Sequence, residues 1–172
     1  ASFGIDVVIT DHHECREELP KAAAVVNPHR PDSVYPFAEL AGVGVVFKLV
    51  CALEDGKNPM RVCQKYADIA ALGTVADVMP IVGENRVIVK LGLERLEKTS
   101  NEGLYALIHA AFSEKRSSKN RKLTTSSISY GLAPRINAAG RIGDVNRAVK
   151  LLVTENRQEA VNIADYLCSV NR

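Results

Sequence analysis

The chain has 172 residues, of which 47% are hydrophobic, and a formal net charge of +2. This length and apolar content predict a folded domain with a core and exclude a disordered chain. The charge is too small to indicate binding to nucleic acid or membranes by itself, and the apolar runs are far shorter than the roughly 20 residues that cross a bilayer.

Two short apolar segments near the start of the chain predict β-strands. Residues 5–10 (IDVVIT) are β-branched, as in a buried strand of a parallel sheet, and residues 23–27 (AAVVN) form a second strand that Pro28 stops. Residues 29–37 are an irregular loop. Because two strands alone do not make a stable parallel sheet, the pattern predicts an α/β domain that is missing some strands: either the chain is a segment of a longer protein or it contains strands that the pattern does not reveal.

The rest of the chain predicts helices and no second domain. A buried helix is expected over residues 41–54, and residues 61–72 form another helix followed by a turn-like stretch at 73–77. The spacing of apolar residues predicts helices at 84–97 and 104–112, a helix at 126–139 that Pro134 bends or breaks, and one at 145–153 capped by Asp144. Residues 157–170 close the chain as an amphipathic helix. Residues 114–122, rich in lysine and arginine, predict a solvated loop.

The termini and the cysteines indicate the kind of protein from which the chain comes. It begins with Ala1-Ser2 and ends inside a predicted helix, which suggests a segment of a longer protein. No basic segment followed by a long apolar run predicts a signal peptide. Cysteines at positions 15, 51, 63 and 168 form no CxxC pair and no zinc-type spacing, as expected for reduced thiols in the cytoplasm.

The triplet Asp11-His12-His13 is the strongest local signal for chemistry. It follows the first predicted strand, at the end where open α/β sheets place their ligands. Imidazole and carboxylate groups together suit manganese, zinc or iron. The alternative is a pair of exposed loop histidines without a role, and the triplet alone leaves both interpretations open.

Two further segments hold candidate site residues. Asp77 is a lone carboxylate in an apolar stretch, so it needs a metal, a cation or hydrogen bonds, unless it only caps a helix or turn. In residues 131–144, Arg135 and Arg141 could bind phosphate oxygens, although tight helix packing with surface arginines explains the segment equally well.

Three motifs in this order resemble one known family. VVITDHHE (7–14), ALGTVADVMP (71–80) and GLAPRINAAGRIGD (131–144), together with the intervening VVNPHRPD and GENRVIVKLGLERL, are similar to the central part of the RecJ family. RecJ proteins are single-strand-specific 5′-to-3′ DNA exonucleases of the DHH phosphoesterase superfamily. The resemblance covers almost the whole chain. It implies the central and C-terminal parts of a DHH catalytic domain over residues 1–155, and over 156–172 the start of a helix that leads to a downstream domain.

The resemblance also implies roles for individual residues. His12 and Asp77 correspond to metal ligands, and Asp11 and His13 to catalytic residues that orient ligands or contact the scissile phosphate. The other three candidates, which the resemblance assigns to contact with phosphate or the DNA strand, are Arg135, Asn137 and Arg141.

The implied reaction is phosphodiester hydrolysis in DNA repair and recombination, with two Mn²⁺ or Mg²⁺ ions, single-stranded DNA as substrate, repair proteins as possible partners and no membrane. The aspartate-rich motifs that supply most of the metal ligands in this family precede its DHH motif and do not occur here. We therefore expect this segment alone to bind metal weakly and to hydrolyse DNA poorly. Two alternatives remain: a DHH phosphodiesterase of short oligonucleotides or cyclic dinucleotides, and a RecJ-like scaffold that binds nucleic acid without catalysis.

Overall fold

A computed structural model of the chain describes residues 3–54, 58–112, 122–141 and 143–171. The chain divides into two compact units, Ala1–Gly92 and Leu93–Arg172. The predicted α/β class, with a small parallel sheet first and helices after it, is confirmed. Apart from Lys122, the predicted basic loop at 114–122 lies outside the described residues. None of the described helices combines the length and the apolar character needed to span a membrane.

The sheet of the first unit consists of β1 (Val8–Thr10) and β2 (Ala24–Val26), which run parallel with Val8 opposite Ala24. Both strands were predicted, and both are shorter than expected. The predicted burial of the first strand is wrong, because Val7 and Val8 are 45% and 55% exposed. Within the described residues the sheet ends at these two strands, so much of the apolar surface of β1 has nothing to cover it.

Three helices complete the first unit: α1 (Gly42–Leu53), α2 (Pro59–Ala76) and α3 (Gly83–Leu96), the last of which continues into the second unit. All three were predicted. Asn58 caps α2 by accepting a hydrogen bond from the Arg61 N–H, and Pro59 occupies the first helical position, where its missing N–H costs nothing. The helices pack around a core that contains Leu40, Val45, Phe47, Val62, Ala70 and Ile88.

The predicted turn at residues 73–77 is wrong, because α2 continues to Ala76. The buried Thr74 hydroxyl donates to the Ala70 carbonyl at 2.8 Å, a bond that a helix satisfies within its own turn. A Cβ on Gly73 would lie 2.6 Å from Cγ1 of Val43 on α1. The glycine therefore reflects the close approach of α1 to α2 and not a turn.

In the described part of the second unit, all regular secondary structure is helical. It contains α4 (Glu102–Phe112), α5 (Thr125–Ser127), a π-helical turn (Ile128–Leu132), α6 (Ala133–Arg141), α7 (Val145–Val153) and α8 (Arg157–Val170). Helix α8 packs against α4, α6 and α7 within this unit, while the predicted domain boundary at residue 155 stays a prediction. The largest fully buried side chains of the unit include Leu104, Leu107, Ile128, Leu132, Leu151 and Leu167.

Two details of the second unit differ from expectation. Pro134 does not break the helix: residues 125–141 stay helical, and the wider π-helical turn stands directly before α6. Proline cannot donate a bond to the preceding turn, and a π-helical turn accommodates that loss. Asp144 does occupy the N-cap position of α7, but its side chain makes no capping hydrogen bond and instead pairs with Arg147.

Candidate metal centre

The triplet Asp11-His12-His13 forms a tight turn at the carboxyl end of β1. The Asp11 N–H donates to the Val26 carbonyl at 3.0 Å, which ties the start of the turn to β2. Asp11 Oδ1 accepts hydrogen bonds from the backbone N–H groups of His12, at 2.7 Å, and His13, at 3.3 Å. Asp11 thus folds its own loop, as short polar side chains do after strands.

The same carboxylate oxygen also contacts a histidine ring. His13 Nδ1 lies 2.7 Å from Asp11 Oδ1. This side-chain hydrogen bond, followed by the bond from the His12 N–H, outweighs the slight burial and lowers the pKa of Asp11 to about 2. Because an ionised carboxylate can only accept, His13 carries its proton on Nδ1. Its Nε2 is left for another group, on a side chain that is 77% exposed.

His12 and Asp77 meet at the edge of this turn. His12 Nε2 lies 3.2 Å from Asp77 Oδ2, and the two side chains are 15% and 46% exposed. The His12 ring rests on the first residue of α1, where a Cβ on Gly42 would lie 3.4 Å from its Cδ2. Two residues that the resemblance assigns to metal binding are therefore brought together by β1, α1 and the end of α2.

The end of α2 fixes the position of Asp77. Asp77 is the C-cap residue, and its N–H donates to the Gly73 carbonyl at 2.9 Å. Beyond it, the Val78 N–H donates to Val75 and the Met79 N–H donates to Thr74. This pair of bonds is the Schellman motif, in which the residue after the C-cap takes a left-handed conformation. Val78 has a φ of 57° as the motif requires.

The donor set fits a divalent cation. Two ligands that each lie about 2.1 Å from one ion, at roughly a right angle, are about 3 Å apart. The 3.2 Å between His12 Nε2 and Asp77 Oδ2, which is a direct contact of the two side chains in the structure, is also close to that spacing. Ligand atoms of Asp11, His12 and His13 also lie within 4.8 Å of one another. Mixed imidazole and carboxylate ligands suit manganese, zinc or iron.

A buried amide that the sequence analysis missed holds the turn in place. Asn27, which is 7% exposed, donates from Nδ2 to the His13 carbonyl at 2.9 Å, and its Oδ1 accepts from the His29 N–H at 2.9 Å. The available signal was position: Asn27 directly follows β2, as Asp11 follows β1. Since parallel strands end at the same edge of a sheet, polar residues at both ends meet there.

The third predicted group lies in the second unit. Arg135, Asn137 and Arg141 all belong to α6. Arg135 is half-buried; its Nε donates to Cys168 Sγ at 3.2 Å and its Nη1 donates to the Gly131 carbonyl. Asn137 and Arg141 are exposed. Contact of these residues with phosphate stays a prediction.

Known proteins of similar sequence match the chain over both of its units. Residues 1–74 match the DHH family, N-terminal domain. RecJ, the single-stranded-DNA-specific exonuclease, is 44% identical in Bacillus subtilis and 37% identical in Escherichia coli, over 99% of this chain in both cases. The chain spans only 20% and 31% of the length of these two curated relatives.

Solved structures agree with the sequence relatives. A crystal structure of RecJ from Thermus thermophilus in complex with Mn²⁺ superposes with a TM-score of 0.83 at 36% identity, over 99% of this chain and 24% of that one. An exonuclease RecJ bound to manganese gives 0.81 at 35% identity, over 98% of this chain and 40% of that one. A Thermus thermophilus RecJ with Mg²⁺ gives 0.77 at 35% identity, over 98% of this chain and 24% of that one.

Proposed function

We propose that this chain, which resembles the DHH family over residues 1–74 and RecJ over nearly its whole length, is part of a metal-dependent exonuclease that hydrolyses single-stranded DNA from 5′ to 3′. The observation that carries the proposal is the 3.2 Å approach of His12 Nε2 to Asp77 Oδ2 beside the Asp11-His13 pair. An imidazole and a carboxylate at ligand spacing, at the carboxyl end of a parallel strand, are suited to hold a catalytic cation.

The residues take distinct roles in this proposal. In this proposal His12 and Asp77 hold Mn²⁺ or Mg²⁺, the two ions with which RecJ structures from Thermus thermophilus have been solved. When bound, the ions supply a hydroxide nucleophile and stabilise the charge on the phosphate. Asp11, which stays ionised above pH of about 2, fixes the turn and the tautomer of His13. The proposed role of His13, whose ring is exposed, is contact with the scissile phosphate.

His12 and Asp77 alone are too few ligands for a tight site. We propose that a functional two-metal centre takes further carboxylates from the full-length protein, and that Arg135, Asn137 and Arg141 contact the phosphates of the strand. Single-stranded DNA is then the substrate, and repair proteins are the expected partners in the cytoplasm. The free cysteines Cys15, Cys51, Cys63 and Cys168 are consistent with that compartment.

The test compares variants of the full-length protein in Mn²⁺-dependent release of nucleotides from labelled single-stranded DNA. We expect His12→Ala and Asp77→Asn each to lower kcat by more than roughly 100-fold, because even residues outside the ligand shell cost 10- to 100-fold. His109→Ala and Asp165→Asn, which change exposed residues of the second unit, serve as matched controls and should keep full activity. Wild-type kcat in both ligand variants would rule out this site.

Two other functions are separated by the same assay. Faster turnover of dinucleotides or cyclic dinucleotides than of long single strands by the wild-type protein would favour the phosphodiesterase alternative. Binding of single-stranded DNA without any hydrolysis would favour the scaffold. The isolated 172-residue chain should bind Mn²⁺ weakly and release little product; robust Mn²⁺-dependent hydrolysis that His12→Ala abolishes would contradict the need for further ligands.

A further inference from the structure

Val78 is in a conformation that its side chain disfavours. It occupies the left-handed position of the Schellman motif, with a φ of 57°, and among the described non-glycine residues no other has a positive φ. Glycine or asparagine usually fills this position, because a Cβ clashes with the backbone there. A β-branched residue is the least suited, so valine strains the end of α2.

Packing in the first unit does not compensate for this strain. The Val78 side chain is 87% exposed, so burial gives it almost no stabilisation. Glycine would keep the backbone bonds from Val78 to Val75 and from Met79 to Thr74, since neither involves the side chain. The fold therefore gains nothing from valine that glycine would not supply. Strained positions of this kind concentrate at functional sites.

The surroundings of Val78 indicate what its side chain contacts. It directly follows Asp77, whose carboxylate meets His12. The connection from Val78 to Gly83 (VMPIVG) has no charged residue, and Ile81 and Val82 in it are 38% and 54% exposed. An apolar surface thus adjoins a cluster of imidazole and carboxylate groups. A nucleotide has the matching pattern, with a charged phosphate next to an apolar sugar and base.

We propose that Val78 is a substrate-contacting residue whose side chain packs against the sugar and base of the nucleotide whose phosphate lies at the His12–Asp77 pair. The inference rests on the proposed nuclease function and adds to it the residue that holds the terminal nucleotide. It accounts for the exposed position, for the strained backbone and for the apolar neighbours Ile81 and Val82.

Substituting glycine for Val78 removes the side chain and keeps the backbone turn, so it tests the role of the side chain by itself. In the full-length protein, Val78→Gly should melt at an equal or higher temperature than wild type, because it relieves the left-handed strain. Its KM for single-stranded DNA should rise on the order of three- to tenfold with kcat nearly unchanged, as expected when one or two buried methyl groups are lost. Val78→Ile, which keeps a branched apolar side chain, should have the same KM as wild type. Val34→Gly, which removes a valine that is 98% exposed elsewhere in the first unit, should leave KM unchanged.

A modified substrate identifies the contact. On an oligonucleotide with an abasic terminal nucleotide, the difference in KM between wild type and Val78→Gly should become smaller, because the part of the contact made to the base is already absent. A lower melting temperature or failure to fold in Val78→Gly would show that the valine is packed within the protein, and would overturn the inference. An unchanged KM in an active Val78→Gly protein would overturn it alone, whereas an inactive wild-type protein would overturn the proposed function together with it.

Discussion

Asn27 shows how a single buried side chain can set the geometry of a site that it does not enter. Its amide has both of its polar atoms engaged, one with the His13 carbonyl and the other with the His29 N–H. The bond to His13 holds the turn that carries Asp11, His12 and His13. A change in this amide should therefore affect metal binding as well as stability.

Replacing Asn27 tests both effects. We expect Asn27→Ala to lower the free energy of unfolding by about 1–3 kcal/mol, since the partly buried His13 carbonyl and His29 N–H lose their hydrogen-bond partner. Asn27→Asp, of the same size, should be at least as damaging because it places a carboxylate oxygen against the His13 carbonyl. In the full-length protein both should weaken Mn²⁺ binding by about 10- to 100-fold, measured by titration with electron paramagnetic resonance.

Asn162 on α8 provides the control for this pair of variants. Its side chain is exposed, and its Oδ1 accepts a hydrogen bond from Gln158 Nε2 on the surface of the same helix. Asn162→Ala should change the free energy of unfolding by less than about 0.5 kcal/mol and leave Mn²⁺ affinity intact. Equal losses of affinity in the Asn27 and Asn162 variants would argue against a specific role for Asn27.

Glu84 gives the first unit a pH-dependent stability. Its oxygens accept from the Tyr35 hydroxyl at 2.6 Å and from Lys48 Nζ at 2.9 Å. Partial burial raises the pKa of Glu84, but the hydrogen bonds from Tyr35 and Lys48 outweigh it, so the net pKa lies below 4.5. A lowered carboxyl pKa stabilises the fold above the unfolded value and loses that effect as the pH falls through the folded value.

We therefore expect the stability difference between wild type and Glu84→Gln to depend on pH. Wild type should be more stable at pH 7, and the difference should shrink as the pH falls below about 4.5. Urea unfolding followed by circular dichroism at pH 7, 5 and 3.5 measures it. Glu94→Gln, an exposed change on the same helix, should show a smaller and flatter difference. A difference that grows towards acid would contradict the sign.

The candidate site residues are indicated by residue type, whereas no local pattern indicates how they assemble. A triplet of imidazole and carboxylate groups after a strand, and a carboxylate in an apolar stretch, indicate Asp11, His12, His13 and Asp77 from chemistry alone. That His12 and Asp77 lie 3.2 Å apart depends on how β1, α1 and α2 pack, which no local pattern encodes. Asn27 was missed because a lone amide after a strand has many ordinary explanations.

At the scale of elements, the glycines explain where local pattern and structure diverge. Gly73 and Thr74 favour a turn by composition, yet they form the last turns of α2 because α1 approaches closely there. Tertiary contact overrides local preference at such positions. The helices themselves follow the spacing of apolar residues, so their existence was predictable. The π-helical turn before α6 was not predicted, because apolar spacing does not show how a packed helix accommodates the missing N–H of Pro134.

Two glycines of the second unit should respond oppositely to alanine. A Cβ on Gly103 would lie 1.7 Å from the Leu151 carbonyl oxygen, whereas one on Gly140 in α6 meets nothing within 4 Å. Gly103→Ala should lower the free energy of unfolding by at least about 2–3 kcal/mol, because the backbone of α7 must move. Gly140→Ala should be neutral or stabilising by up to about 1 kcal/mol, since alanine favours a helix.

Thermal unfolding of the two variants gives the comparison directly. The pair shares the same substitution, so the difference between them isolates the contact with Leu151. If Gly103→Ala were as stable as Gly140→Ala, α4 and α7 could not be packed as closely as the structure has them.

At the scale of the whole molecule, β1 leaves an apolar surface uncovered. Phe3, Ile5, Val7 and Val8 are between 45% and 88% exposed, and the described part of the sheet has only β2 beside β1. An exposed apolar strand with an unpaired edge is a template for pairing with another chain. The isolated 172-residue chain should therefore self-associate with increasing concentration.

A charge on this strand should suppress that association. We expect Val8→Lys to shift the isolated chain towards monomer in sedimentation velocity, because a buried lysine at a strand interface is costly. Val149→Lys on α7 is a matched control, since Val149 is 54% exposed and Val8 is 55% exposed. Equal suppression by both variants would indicate a general effect of charge and not pairing through β1.

The meeting of His12 and Asp77 has a thermodynamic consequence for the molecule. The two residues are distant in sequence and lie at ligand spacing only when the first unit is folded. A cation that needs both binds the native state and not the unfolded chain, so mass action shifts the folding equilibrium towards the native state. At a free concentration of roughly 100 times Kd, this adds about 2.7 kcal/mol. A melting curve of the protein against Mn²⁺ concentration is thus a titration of the site that requires no DNA and no turnover.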